Sequence, residues 1–499
     1  MDLVSNLALG LSVALTLQNI GYCFVGCLLG TLIGVLPGIG PAATIAMLLP
    51  ATFALEPTTA LIMLAGIYYG AQYGGSTTAI LVNLPGEATS VVTALDGYRM
   101  AQAGKAGVAL AVAAIGSFVA GTIATLIIAA FAQPMSDLAL RFGPAEYFSL
   151  MVLGLMASVI LASGSLLKAL CMILVGLLIG IVGTDINSGQ MRFTFGLLEL
   201  ADGVNLVIMA MGLFGLGEII KNLSLPPEER TTGLLTSIIP SRAEMRRVVG
   251  PILRGTALGS VLGILPGGGA LLSSFASYSL EKKISRTPEK FGTGMVEGVA
   301  APEAANNAGA QTSFIPMLTL GIPSNAIMAL MAGAMILHGI QPGPGVIRDQ
   351  PSLFWGIIAS MWIGNAILLV LNLPLVGVWA RLVTIPYHLL YPAIVVFCCV
   401  GVFTLNNNGI DIYLMCLFGL LGYAFFKLEC EPAPLLLGAV LGPMMEENLR
   451  RTLLLSRGDP MVFIERPISA GILALAAIAL VAMASPYLRH RREEILVEE

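Results

Sequence analysis

Charge is what this sequence has least of. Of 499 residues, 11% are Asp, Glu, Lys or Arg and 57% are hydrophobic; soluble domains run near 25% charged. The first Lys or Arg of the chain is Arg99. A surface that carries so little charge does not face water, so a soluble fold is excluded and a polytopic membrane protein is expected. Aromatic residues are scarce as well, 7% with three Trp, which argues against the girdles of a β-barrel. The apolar runs are too long for barrel strands, so the spans are helices and the fold class is all-α. No basic n-region precedes the first apolar run, and no signal peptide is expected.

Catalytic and metal-binding patterns are missing too. Cys23, Cys27, Cys171, Cys398, Cys399, Cys416 and Cys430 form no CxxC or metal spacing and read as small buried hydrophobes. His338, His388 and His490 are isolated. There is no Ser/His/Asp order, no HExxH helix and no phosphate loop, so the expectation is no enzyme, no cofactor, no metal site beyond a Na⁺ held by carbonyls and hydroxyls, and no nucleotide hydrolysis by this chain. The net charge of -4 gives no reason to expect a nucleic acid partner.

What the sequence has is glycine and proline, 57 and 28 of them, and they are patterned. Gly34-Val35-Leu36-Pro37-Gly38-Ile39-Gly40-Pro41 interrupts one apolar run and Gly263-Ile264-Leu265-Pro266-Gly267-Gly268-Gly269 another. At an offset of 229 (259 − 30), Gly26, Gly30, Gly34, Leu36, Pro37, Gly38 and Gly40 meet identical residues at 255, 259, 263, 265, 266, 267 and 269. Gly70-Ala71-Gln72 likewise meets Gly309-Ala310-Gln311, and a proline follows the glutamine after 13 residues in one copy (Pro85) and 12 in the other (Pro323). The chain therefore reads as two repeats.

The first repeat covers residues 1–220: an N-terminal helix (3–17) that either spans or lies at the interface, a hairpin at 20–51, a segment at 57–105 cut at 70–78 and at 83–87, and spans over 107–220. A linker at 221–249 holds Pro226-Pro227 and several Arg. The second repeat covers 250–450, with a hairpin at 250–281, a segment at 291–339 cut around 306–313 and at 321–325, and spans over 352–448. An extra span and a charged tail fill 451–499. This gives roughly 10–12 spans of about 20 residues.

Basic residues favour the cytoplasm. Arg246, Arg247 and Arg254 precede the second Pro-Gly stretch and Lys282, Lys283, Arg286 and Lys290 follow it, so both its flanks read as cytoplasmic. Its arms, 255–265 and 270–280, are too short to span, which predicts a re-entrant hairpin. The first copy lacks basic flanks and reads as entering from outside, so the repeats are expected to be inverted. Arg99, Lys105, Lys168, Lys221, Arg381, Lys427 and the tail then fall inside. Arg450, Arg451 and Arg457 disagree by falling outside.

Opposed hairpins would bring irregular backbone together near the midplane, where helix N-termini suit an anion and carbonyls or hydroxyls suit Na⁺. Candidate substrate- or ion-binding residues are Gly38, Gly40, Gly75, Ser76, Thr77, Thr78, Asn83 and Glu87 in the first half. In the second they are Gly267, Gly268, Gly269, Ser273, Ser274, Glu303, Asn306, Asn307, Gln311, Thr312, Ser313, Ser324 and Asn325. The bland readings are close packing for the glycines and bonding back to their own helix for the hydroxyls. Glu303, Asn306 and Asn307 are the hardest to explain that way, because polar groups at membrane depth are costly.

The stretches 30–41, Tyr69-Gly70-Ala71-Gln72-Tyr73-Gly74-Gly75-Ser76, Asn83-Leu84-Pro85-Gly86 and Gly321-Ile322-Pro323-Ser324 resemble the large membrane (permease) subunit of the tripartite tricarboxylate transporters. The resemblance implies a multi-pass protein of the bacterial inner membrane, a secondary active importer of a tricarboxylate, dicarboxylate or aromatic acid. It further implies coupling to Na⁺ or H⁺, a small four-helix membrane subunit and a periplasmic carboxylate-binding protein. A passive anion channel is the alternative reading, with an intramembrane enzyme behind it.

Overall fold

The computed structural model describes residues 3–36, 40–83, 87–161, 165–185, 188–224, 239–265, 269–382 and 387–484. Among these, one two-stranded antiparallel pair, Gly183–Thr184 with Met191–Arg192, accompanies an otherwise helical chain. Ten helices position the site: α1 (Leu17–Gly34), α2 (Pro41–Leu48), α3 (Pro57–Val82), α4 (Val91–Gln102), α5 (Ala106–Ala139), α6 (Arg242–Ile264), α7 (Gly269–Ile284), α8 (Glu297–Thr312), α9 (Ala326–Leu337) and α10 (Pro351–Asn372).

Glycine spacing dictates the central packing. Gly26, Gly30 and Gly34 recur every four residues on one face of α1 and lie against the backbone of Met63, Ile67 and Ala71 in α3. A Cβ at any of them would collide with a carbonyl oxygen. In the second half Gly255, Gly259 and Gly263 of α6 lie in the same way against Ala301, Ala305 and Gly309 of α8. Without water to drive apolar association, such close backbone approach is what holds membrane helices together. The three glycine pairs matched in sequence thus do the same work in both halves.

Direction follows from the same contacts. Residue numbers rise together along α1 and α3, and along α6 and α8, so each pair is parallel. The chain must therefore run back between Gly34 and Pro57, and the Thr59 hydroxyl closes the base by donating to Asn19 at 2.7 Å. α7 runs back along α6: Gly263 lies beside Gly269, and Arg254 forms a two-pronged ion pair with Glu281 at 2.6 and 2.8 Å. α10 runs with α3, since Gly356 lies beside Thr58 and the Tyr73 hydroxyl donates to Asn365. α5 runs against α10, where Asn365 donates to the Phe118 carbonyl and Trp362 to that of Thr122. α5 runs with α8 through Ser117–Asn307 and Thr125–Gln311. α3 and α8 consequently point in opposite directions.

One expected cut is not a cut and another is narrower than expected. α3 is continuous through 70–78, and α8 through Asn306, Asn307 and Gln311, the 306–313 cut falling only at Ser313, between Thr312 and the short helix Phe314–Leu320. The Ser76, Thr77 and Thr78 hydroxyls return to the carbonyls of Gln72, Tyr73 and Gly74 one turn back, while Gly66, Gly70 and Gly74 admit α1. Glycine costs a helix about 1 kcal/mol relative to alanine, and close packing offsets it. The later cuts are real interruptions. Asn83 ends α3 in the left-handed conformation at φ 56. Gly321, at φ 74, ends the short helix Phe314–Leu320, and Asn325 then caps α9 by accepting from the Met328 N–H at 2.9 Å.

Among the described residues, five helices are long and apolar enough to cross a membrane: α1, α5, Leu206–Ser224, α10 and Ile410–Lys427. Seven shorter apolar helices accompany them. The count falls below the expected 10–12 partly because some long helices are charged. Ala433–Leu455 has 23 residues but carries Glu446, Glu447, Arg450 and Arg451 near its end.

Ion pairs join distant segments: Lys105–Glu244, Arg247–Glu297, Lys168–Glu429, Arg192–Glu446 and Arg466–Glu146. The Arg cluster that disagreed with the charge pattern is largely neutralised. Arg450 pairs with Asp185 and Glu446, and Arg451 with Glu447.

Candidate functional site

Most of the expected site residues turn out to be locally satisfied. Gly40 is the N-cap of α2 and its carbonyl accepts from the Thr44 hydroxyl. Gly75 sits within α3 and accepts from Thr78. The Thr312 and Ser313 hydroxyls bond back to Ala308 and Ala310. Ser273 bonds back to Gly269, and Ser274 to Ala270 with a longer bond to the Pro302 carbonyl. Ser324 donates to the Ser313 carbonyl at 3.4 Å, Asn325 is an N-cap, and Asn83 is an exposed C-cap. Gly38, Gly267 and Gly268 lie outside the described residues.

A subset does converge, on Glu303 of α8. This carboxyl is 1% exposed, and no Lys, Arg or His pairs with it among the described residues. The Ser76 hydroxyl of α3 lies 2.8 Å from each of its oxygens, and the Thr93 hydroxyl of α4 donates to Oε1 at 2.5 Å. One turn on, Asn307 donates to the Ser117 hydroxyl of α5 at 2.7 Å and to the Glu303 carbonyl at 3.1 Å. Asn306 donates to Glu87 at 3.2 Å, while its own Oδ1 is buried without a partner. A turn further, Gln311 accepts from Thr125 at 2.8 Å. Of the candidates, then, Ser76, Thr77, Glu87, Glu303, Asn306 and Asn307 form one cluster, with Gln311 at its edge.

A small cavity opens on the cluster, lined by Tyr73, Ser76, Thr77, Ser117, Glu303 and Asn372 with the apolar Leu110, Ala113 and Ala114. It leaves about 10 Å³ for the centre of a water-sized sphere, room for roughly one water. Tyr73, Thr93, Ser117, Asn365 and Asn372 were not picked out in the sequence. Ser117, Asn365 and Asn372 are single polar residues in apolar runs, and the available signal was the cost of burying such a group in lipid; Tyr73 and Thr93 sit among other polar residues that hid them.

Asp96 of α4 escaped notice for the same reason, although it is fully buried. Its Oδ1 accepts from the N–H groups of Gly292, Gly294 and Met295 at 3.0, 2.8 and 2.7 Å, and its Oδ2 from the Tyr278 hydroxyl at 2.9 Å. Four donors on one carboxylate make a charge-assisted knot. It ties α4 of the first half to α7 and to the loop that launches α8, and so fixes the approach of Thr93 to Glu303.

Comparison with known proteins bears on what this arrangement serves. Residues 20–437 match the model of the family described as "Tripartite tricarboxylate transporter TctA family". The chain is 60% identical over 501 residues, 100% of both chains, to an Agrobacterium vitis protein called "Uncharacterized 52.8 kDa protein in TAR-I ttuC' 3'region". It is 57% identical over 241 residues to another from Agrobacterium vitis, "Uncharacterized protein in TAR-II ttuC' 3'region"; the match covers 48% of this chain and 100% of that one. No solved structure matches. A multi-pass helical chain matched over most of its length belongs to this transporter family: the protein is a member of the tripartite tricarboxylate transporter TctA family, the large membrane subunit.

Proposed function

We propose that the protein is a secondary active importer of a small organic carboxylate, driven by a Na⁺ or proton gradient in the bacterial inner membrane. It works with a small four-helix membrane subunit and with a periplasmic protein that delivers the carboxylate. The observation that carries this reading is the Glu303 cluster: a buried carboxyl shared by α3, α4 and α8, with no cationic side chain paired to it among the described residues. An intramembrane ionisable group of that kind is costly unless it serves a pathway.

The transport cycle is alternating access about two inverted repeats. Support comes from the opposite directions of the α1/α3 and α6/α8 pairs, each built on the same three-glycine stripe. The ion pair Lys168–Glu429 ties Lys168 to a residue two beyond Lys427, both read as inside from the charge pattern, in keeping with the same topology. The mobile core comprises the α1–α2 and α6–α7 re-entrant hairpins. The N-termini of α2 and α7, which begin at Pro41 and Gly269, offer unpaired N–H groups to the carboxylate.

Uptake by proteoliposomes holding both membrane subunits, fed by the binding protein, tests the reading. Saturable accumulation above equilibrium, abolished when Na⁺ and proton gradients are both collapsed, is expected. Flux that neither saturates nor accumulates solute would make the protein a channel.

A further inference from the structure

We infer that the cavity beside Glu303 is a binding site for a bare Na⁺ ion, with the Asn372 side-chain oxygen as a neutral ligand alongside the carboxylate. The inference deepens the proposed function by naming the coupling ion and its site.

Three independent features meet there. The first is charge. Glu303 has the Ser76 and Thr93 hydroxyls within hydrogen-bonding distance, and no basic side chain pairs with it among the described residues. A lone buried carboxylate demands a positive charge from elsewhere. The second is an orphaned acceptor. Asn372, at the end of α10, is 7% exposed and lines the cavity. Its Nδ2 is used by the Leu368 carbonyl at 2.9 Å, while its Oδ1 is buried with no partner. Buried acceptors go unpaired at a cost of about 1–3 kcal/mol, and a cation removes that cost. The third is size and chemistry. The polar lining residues are rich in oxygen: Tyr73, Ser76, Thr77 and Ser117 carry hydroxyls, Glu303 a carboxyl and Asn372 an amide whose nitrogen is used by Leu368. Oxygen-only shells suit hard cations. Room for roughly one water suits a dehydrated Na⁺.

The ligands come from four helices, α3, α5, α8 and α10, which belong to both halves of the chain. Binding therefore draws the α1/α3 and α6/α8 pairs together, the kind of differential contact by which an ion biases one conformation over another.

Binding of ²²Na⁺ to the purified full-length protein in detergent tests this directly, without substrate or uptake. Saturable binding is expected, with K⁺ at equal concentration failing to compete. Asn372→Ala and Glu303→Gln should each weaken Na⁺ affinity by at least about tenfold, and Asn448→Ala, in a helix that contributes no lining residue, should leave it unchanged. If Glu303→Gln does not fold, Asn372→Ala and Ser117→Ala carry the test. Absence of saturable Na⁺ binding, competition by K⁺, or unaltered affinity in the cavity variants overturns the inference. A chain that accumulates carboxylate yet binds no Na⁺ here defeats this inference alone. A chain that binds Na⁺ here yet accumulates nothing defeats the transport reading alone.

Discussion

The two glycine-striped helix pairs are alike in packing and unlike in chemistry. α1 against α3 and α6 against α8 use three glycines at four-residue spacing to reach backbone contact. On α3 the Ser76, Thr77 and Thr78 hydroxyls each bond back to their own helix, Ser76 also facing Glu303. On α8 the polar residues are Glu303, Asn306, Asn307 and Gln311, and they reach across to Ser76, Glu87, Ser117 and Thr125. Charge divides the halves too. α6 is pinned to α7 by Arg254 and Glu281, while α1 and α2 hold no Asp, Glu, Lys or Arg at all. Packing geometry is shared by the two pairs, and of the two helices that meet across them only α8 brings a buried carboxyl, Glu303, to the contact.

The most damaging way to probe that likeness is to fill the stripes. Gly30→Leu and Gly259→Leu should each cost about 3 kcal/mol through overpacking, read as loss of the monodisperse peak in size-exclusion chromatography. Tolerance of one and not the other would break the equivalence. Next comes the chemical difference. Glu303→Gln should lower uptake by about tenfold to a hundredfold with the fold retained, whereas Ser76→Ala, which removes one hydrogen bond of about 1 kcal/mol, should cost several-fold. A reversed order would move the centre of the site to α3. The hairpin charges come third. Arg254→Leu leaves Glu281, 4% exposed, without its partner and should cost about 1–3 kcal/mol in thermal unfolding; the α1–α2 hairpin has no equivalent residue to lose.

The smallest effect concerns the entry to α6. Ser241 and Glu244 form a capping box. The Ser241 backbone N–H bonded to the Glu244 carboxylate, with the Ser241 hydroxyl and then Lys105 adding to it, holds that carboxyl below its usual range. A depressed carboxyl stabilises the fold above its unfolded value, near 4.5, and that contribution fades as pH falls through the folded value. The acid limb of a stability–pH curve should flatten slightly in Glu244→Gln and stay flat when Lys105 is neutralised as well. A Glu244→Gln curve that superimposes on the wild type would remove the cap from the account.

Much of this was legible in the sequence, for definable reasons. Low charge and long apolar runs specify a helical membrane protein because lipid leaves no other solution. The offset of 229 was visible because glycine is required wherever two backbones touch, and Gly26, Gly30 and Gly34 do touch. The same residue type misled at 70–78 and 306–311. Local sequence cannot say whether a glycine breaks a helix or admits a neighbour, since the deciding atoms, such as the Cys27 carbonyl facing Gly70, lie on another helix. Glu303, Asn306 and Asn307 stood out because they are clustered. Asp96, Ser117 and Asn372 did not, because each is solitary and its meaning depends on residues far along the chain: Tyr278 for Asp96, Asn307 for Ser117, and Ser117 and Glu303 for Asn372.

The Asp96 knot has a consequence for how the chain is made. Its acceptor oxygens wait for Tyr278 and the Gly292–Met295 backbone, the first of which lies 182 residues later. At about 5–20 residues per second of synthesis, α4 must stand for on the order of 10–40 s with an unsatisfied carboxylate before its donors exist. During that interval the first half is an insertion intermediate dependent on the membrane interface, or on an insertase, to hold Asp96 in contact with water. Asp96 cannot gain its full set of donors before residue 295 is made, so the first half is synthesised ahead of the groups that satisfy its own buried carboxylate.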